Sequence, residues 1–245
     1  RNITALELEG TFDDCQALVK SAFMDDELNA HMKLTNANSI NVARFLPQMF
    51  YYFYAYAQLA KEGKSNMNEV VIVVPSGNFG NITAGLVAKR MGLPIKRFIA
   101  ANNRNSVVYE YLKTGEYNPR PSISTIANAM DVGAPSNFAR ILDLYGMSHQ
   151  AIINDISGTT YTDEEIGETL KDTFVNEHYL LDPHGAVGYR AMIDCLAENE
   201  VGISLETAHP AKFKETVDKI TGGNVEIPAR LKAFMEGRKQ VKALS

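Results

Sequence analysis

Residues 70–92 read VVIVVPSGNFGNITAGLVAKRMG, and two kinds of periodicity meet inside them. Val70 to Val74 form a continuous apolar, β-branched run, the pattern of a strand covered on both faces of a parallel sheet. From Asn81 the residues are helix formers, and the run stops at Gly92, which suits a left-handed C-cap. Between them lie two glycines and two asparagines. A strand end, a glycine-rich turn and a helix start bring backbone N–H groups and the helix dipole onto one point, where an anion is stabilised. Gly77 and Gly80 permit close approach or positive φ, while Asn78 and Asn81 tolerate left-handed conformations and offer side-chain amides. A phosphate is the natural occupant. No Gly-Lys-Ser/Thr follows, and the third glycine of a dinucleotide fingerprint is missing. A plain strand-to-helix turn is the alternative.

Working outward, "PIKRFIAAN" reads as a second strand and "SVVYEYLKTG" as a second helix closing at Gly115. Strand, helix, strand, helix with short links predicts an α/β fold, a doubly wound, mostly parallel sheet with helices on both faces. Upstream, "ITALELEG" alternates as a half-buried strand should, and Thr11 with Asp14 makes an acidic capping box for a helix. That helix aligns Phe12, Cys15, Leu18, Val19, Ala22 and Phe23 on one apolar face. "KLTNANSIN" is a polar junction. From Asn41 to about Ala60 the chain reads as one helix crowded with aromatics, which predicts burial all round. Downstream, residues 118–137 read as a long exposed loop of the kind that serves function. Helices are expected after Pro135, from Thr162 with the box Thr162/Glu165, and from Gly185 to Glu198. "GISLETAHP" predicts a last strand leading to a helix with Pro210 in its first turn. The charged tail from Leu231 carries little signal.

Composition narrows the function classes. With 24 Lys+Arg against 29 Asp+Glu and a net charge of −5, no basic block marks a nucleic-acid partner. The two cysteines, Cys15 and Cys195, show neither CxxC nor zinc spacing, which favours a reducing, cytoplasmic setting without a metal site. The most apolar stretch, residues 45–60, is shorter than the ~20 residues a bilayer needs and contains Pro47 and Gln48, so no membrane span is expected. The chain opens on Arg1 without a signal-peptide pattern, as expected of one that begins inside a longer protein.

"VPSGNFGNITAG" resembles the phosphate-binding loop of the threonine synthase family, pyridoxal-phosphate enzymes of the β-family, fold type II. "FDDCQALVK", "NANSINVAR", "GLPIKRFIAANN", "ANAMDVGAPSNFARIL", "DPHGAVGYRA" and "TAHPAKF" resemble further segments of the family in its order, and together cover nearly the whole chain. The resemblance implies a tryptophan synthase β-like fold and a pyridoxal 5'-phosphate cofactor. Gly77, Asn78, Phe79, Gly80 and Asn81 would cradle its phosphate. Thr207 would meet the pyridine nitrogen with a neutral hydroxyl. Asn38, Ser39 and Asn41, with Arg44 a turn further on, would hold the substrate's phosphate; amide, hydroxyl and guanidinium donors suit a dianion. Thr207 alone is equally a strand-end threonine, and the Asn38–Arg44 group a helix cap with a surface arginine. His184, His209 and Lys212 receive no assigned role.

The implied reaction is the conversion of O-phospho-L-homoserine and water to L-threonine and phosphate, the last step of threonine biosynthesis. The family carries its cofactor on a lysine, and none here, Lys89, Lys96 and Lys212 included, falls in a comparable motif. The chain thus resembles a C-terminal portion: residues 1–35 the end of a small domain, residues 36–245 a large cofactor-binding domain. Alone it is expected to be inactive, its partner being the missing N-terminal part. The rival readings are another β-family lyase, such as a serine/threonine dehydratase, and a non-catalytic phosphate-binding module.

Overall fold

The computed structural model describes residues 2–39, 41–63, 67–223 and 225–244, with the side chain of Phe12 also outside the description. The chain starts with β1 (Ala5–Leu8), α1 (Phe12–Met24) and α2 (Asp26–His31), followed by α3 (Val42–Phe45) and α4 (Met49–Lys61). The central region alternates as expected: β2 (Val70–Pro75), α5 (Gly80–Arg90), β3 (Arg97–Asn102) and α6 (Val107–Thr114). Next come α7 (Phe138–Leu144), α8 (His149–Asp155), β4 (Ile156–Thr160), α9 (Asp163–Asn176) and α10 (Pro183–Cys195). The chain ends with β5 (Val201–Ser204), α11 (Lys214–Thr221), α12 (Ala229–Met235) and β6 (Val241–Leu244).

Four parallel strands form the sheet in the order β4-β3-β2-β5, and β1 pairs in parallel with β6. The doubly wound reading holds. Val70 through Val74 have no exposed surface, because both faces of β2 are covered. Their side chains alternate: Val70, Ile72 and Val74 join Phe98, Leu86 and Phe138 on one face, and Val71 and Val73 join Ile99, Ile166 and Val187 on the other. Each buried aliphatic side chain contributes roughly 1.5–3 kcal/mol. Both capping boxes form, at Thr11/Asp14 and at Thr162/Glu165. Gly92 and Gly115 close their helices at φ +104° and +79°.

Several local expectations fail for physical reasons. The single helix over 41–60 is broken into α3, a 3₁₀ turn over Leu46–Gln48, and α4. Pro47 has no N–H to bond back and its ring crowds the preceding turn. Burial all round is also wrong. Tyr52 is fully buried, whereas Phe50, Tyr51 and Tyr54 are 62%, 69% and 66% exposed, so α4 packs with one side only, chiefly on α5. The apolar face of α1 is largely solvent-facing, with Leu18 52% exposed, because the principal element it meets is the short α2. The 118–137 segment is no exposed loop: Thr125, Ala127, Met130 and Val132 are buried. The amides of Asn103 and Asn105 hold it by donating to Asp131 Oδ1 at 2.8 and 3.1 Å. No described helix is long and apolar enough to cross a membrane.

Candidate functional site

β2 has β3 on one side, which follows it directly, and β5 on the other, which returns much later. The strand order therefore reverses at β2, and in open α/β sheets ligands bind in the crevice beyond the strand ends at such a reversal. A cleft of ≈ 870 Å3 opens there, lined by Pro75 and Asn81 from the β2 side, Glu206 and Thr207 from the β5 side, and Arg44 from α3. Thr207 lies three residues past the end of β5 rather than within the strand. It also borders a second cavity of ≈ 910 Å3, which Glu206 shares.

The turn after β2 is held by its flanks and open at its centre. Ser76 donates its N–H to Ala101 O at 2.8 Å and its hydroxyl to Val74 O at 2.8 Å. Among the described residues, the N–H groups of Gly77, Asn78, Phe79, Gly80 and Asn81 donate to no protein acceptor. Phe79 and Gly80 are buried. An unmet buried amide costs about 1–3 kcal/mol, so those of Phe79 and Gly80 above all call for an acceptor, with the partly buried amides of Gly77, Asn78 and Asn81 beside them. The left-handed residue is Phe79, at φ 61°, and neither Gly77 nor Gly80 has positive φ. The glycines serve close approach instead: a Cβ on Gly77 would meet Met130 Cα at 2.7 Å, and one on Gly80 would meet Ser39 Cβ at 3.1 Å.

Ser39 thus stands against the turn, as part of a small network. Its hydroxyl accepts from Asn78 Nδ2 at 3.1 Å and from Asn137 Nδ2 at 3.0 Å, and the Asn137 amide also donates to Asn78 O at 3.0 Å. Asn78 Oδ1 accepts from Ser136 N and Oγ at 2.6 and 2.9 Å. Arg140 donates to Ser39 O at 3.0 Å. The other members of the Asn38–Arg44 group are placed differently. Asn41 caps α3 by accepting from Ala43 N, and Asn38 Oδ1 accepts from Ser39 N, so both side chains serve local structure. Arg44 lines the cleft while its Nε donates to Ala37 O at 2.7 Å. Ile40 lies outside the described residues.

Four participants escaped the sequence reading. Tyr52, buried on α4, directs its hydroxyl at the main-chain and side-chain oxygens of Asn81, 2.9 and 2.8 Å away. Glu206 accepts from Tyr179 OH at 2.8 Å and Asp182 N at 3.3 Å, and burial pushes its carboxyl above the usual range. Asn137 and Asp182 have no exposed surface. His209 caps the 3₁₀ turn Pro210–Phe213 by accepting from Ala211 N, and Lys212 lies 5.5 Å from the Phe213 ring. Lys89 pairs with Asp155, and Lys96 with Glu69 and Glu200. Among the described residues, no lysine lines the cleft.

Comparison with known proteins agrees with this geometry. Residues 2–204 match the family model described as "Pyridoxal-phosphate dependent enzyme", and the chain belongs to that family. Residues 185–245 match a second model, "Threonine synthase, C-terminal". A threonine synthase of Haemophilus influenzae is 47% identical over 230 residues, covering 94% of this chain and 53% of its own length. The crystal structure of Escherichia coli threonine synthase superposes with TM-score 0.92 at 43% identity, over all of this chain and 56% of that one. A pyridoxal-phosphate-bound threonine synthase structure from Brucella melitensis gives TM-score 0.86 at 35% identity, over 99% and 57% of the two chains. The chain spans about half the length of the curated relatives it matches.

Proposed function

We propose that this chain is the cofactor-binding portion of a threonine synthase, which converts O-phospho-L-homoserine and water to L-threonine and phosphate. The observation that carries the reading is the row of acceptor-less amides at Gly77–Asn81, at the head of α5 and beside the crevice. A phosphate is the acceptor such a row fits, and backbone packed where a Cβ of Gly77 would stand explains why no side chain intrudes.

On this reading the five residues hold the cofactor phosphate, and Thr207 offers its hydroxyl to the pyridine nitrogen across the cleft. When bound, pyridoxal phosphate supplies an electron sink for the substrate's amino-acid carbons. Ser39 and Arg44 hold the substrate's phosphate, joined by Asn38 and Asn41 once their side chains leave their local partners. The amine that carries the cofactor and moves protons is assigned to the part of the relatives this chain does not span, and the chain alone is expected to be inactive. Residues 1–35 would complete a small domain and residues 36–245 form the large one, with the β1–β6 ladder reaching across that division.

The test is phosphate release from O-phospho-L-homoserine by the full-length protein, with threonine followed in parallel. Stoichiometric phosphate and threonine support the reading. Consumption of threonine in place of its formation would overturn it in favour of a dehydratase.

A further inference from the structure

We infer that His184, oriented by Asp182, is a positioning residue that fixes the cofactor-phosphate turn from behind, through the backbone of Ala129. This rests on the reading of Gly77–Asn81 as a phosphate cradle. Ala129 N donates to His184 Nε2 at 3.1 Å, so that nitrogen carries a lone pair and the ring proton sits on Nδ1. Nδ1 in turn lies 2.5 Å from Asp182 Oδ1, which also accepts the His184 main-chain N–H at 2.8 Å. Asp182 caps α10 and has no exposed surface, and its Oδ2 has no partner among the described residues. The Phe213 ring, 4.6 Å from the imidazole centroid, restricts the remaining rotation.

What His184 holds is the Asn128–Ala129 peptide, which joins at Ala129 Cα the peptide that touches the turn. A Cβ on Gly77 would meet Met130 Cα at 2.7 Å and Ala129 O at 3.2 Å, so the 129–130 peptide lies directly against Gly77. A tilt of that peptide would move Gly77 and the amides after it. Ser39 and Asn137 brace the other side of the same turn, through Asn78. α10 touches the strand too, since Gly188 packs against Pro75 at the end of β2. One helix start thereby sets both the strand end and the turn that leaves it. A precise amide row needs such support from behind, because a cradle displaced by a fraction of an ångström loses its fit to a dianion.

The test measures binding of pyridoxal phosphate and of pyridoxal, which lacks the phosphate, to the full-length apoprotein, for wild type, His184→Asn and His184→Gln. Asparagine keeps a donor for Asp182 but cannot reach Ala129; glutamine places an acceptor near the Nε2 position. The expected result is that H184N lowers the ratio of phosphorylated to unphosphorylated affinity about tenfold, the worth of one good hydrogen bond, while H184Q keeps it. A general loss of packing would weaken both ligands alike and leave the ratio unmoved, which would overturn the inference. If H184N does not fold, H184Q decides: a retained ratio upholds the acceptor's role, and a lost ratio in a folded protein overturns it. Absence of any phosphate preference in the wild type would instead remove the cradle reading itself.

Discussion

Met130 Cα lies 2.7 Å from the point where a Cβ on Gly77 would stand, with Ala129 O only 3.2 Å away. Both obstacles are main chain, so neither can swing aside. Gly77→Ala is therefore expected to destabilise the protein by about 2 kcal/mol, as overpacking does, and to weaken pyridoxal-phosphate binding more than pyridoxal binding. At Gly80 the nearest obstacles are the Ser39 side chain at 3.1 Å and Asn137 Nδ2 at 3.3 Å, which can yield a little. Gly80→Ala should lower the melting temperature less than Gly77→Ala, and Gly80→Val should abolish phosphate-dependent binding with the fold intact. Thermal melts and ligand titrations on the three variants check the order.

Phe79 carries the strained conformation of the turn, at φ 61°, and a residue with a Cβ gives up about 1–2 kcal/mol there. Glycine would relieve that strain. Yet the Phe79 ring is 3% exposed and meets Phe138 edge-on at 6.3 Å. Loss of a buried phenyl ring costs roughly 3–5 kcal/mol. Packing outweighs strain, so Phe79→Gly is expected to be destabilised by about 2 kcal/mol net. A melting temperature at or above wild type would show the reverse order.

Asn137 joins the two proposed phosphate sites, since one amide nitrogen donates to both Ser39 Oγ and Asn78 O at 3.0 Å. Its removal leaves the part-buried Asn78 carbonyl short of a donor, for an expected loss of about 1–2 kcal/mol in Asn137→Ala. Ser39→Ala removes the shared hydroxyl. Because the two changes break one network, the double variant should be less destabilised than the sum by about 0.5–1 kcal/mol, and additivity in denaturant titrations would contradict the coupling.

How much of this could be read in advance follows from the range of the forces. β2 and α5 are legible because one periodicity ends where another begins, and the capping boxes at Thr11 and Thr162 are signalled within four residues. β4 is not: Ile-Ser-Gly-Thr-Thr has one buried apolar residue, since the strand lies at the sheet edge and its other four residues are half-buried or exposed. β6 hides in a charged tail because its partner is β1, at the other end of the chain. The site divides the same way. The glycines and asparagines of the turn announce themselves, and Thr207 and Arg44 do line the cleft. Asn137, Tyr52 and His184 acquire meaning only through contacts 29 to 98 residues away in sequence.

Glu200 supplies a pH test at the opposite end of the sheet. Its side chain is 3% exposed and accepts from Arg97 Nε and Nη2 at 2.9 and 2.6 Å, from Ala197 N at 3.0 Å, and pairs with Lys96 at 3.1 Å. The Arg97 guanidinium, above all, holds its carboxyl down at about 2 against an ordinary 4.5. A folded value below the unfolded one gives stability that is present above pH 4.5 and lost as the pH falls from there towards 2. Glu110 is held equally low by Arg120, but both side chains are 44% exposed, where solvent screening leaves an ion pair worth at most about 1 kcal/mol. Glu200→Gln is thus expected to lose about 2 kcal/mol at pH 7, as charged hydrogen bonds do, and to flatten the fall of melting temperature between about pH 5 and 3. Glu110→Gln should change both little. Equal responses from the two variants would mean that the shared low pKa, and not burial, decides what each carboxylate contributes.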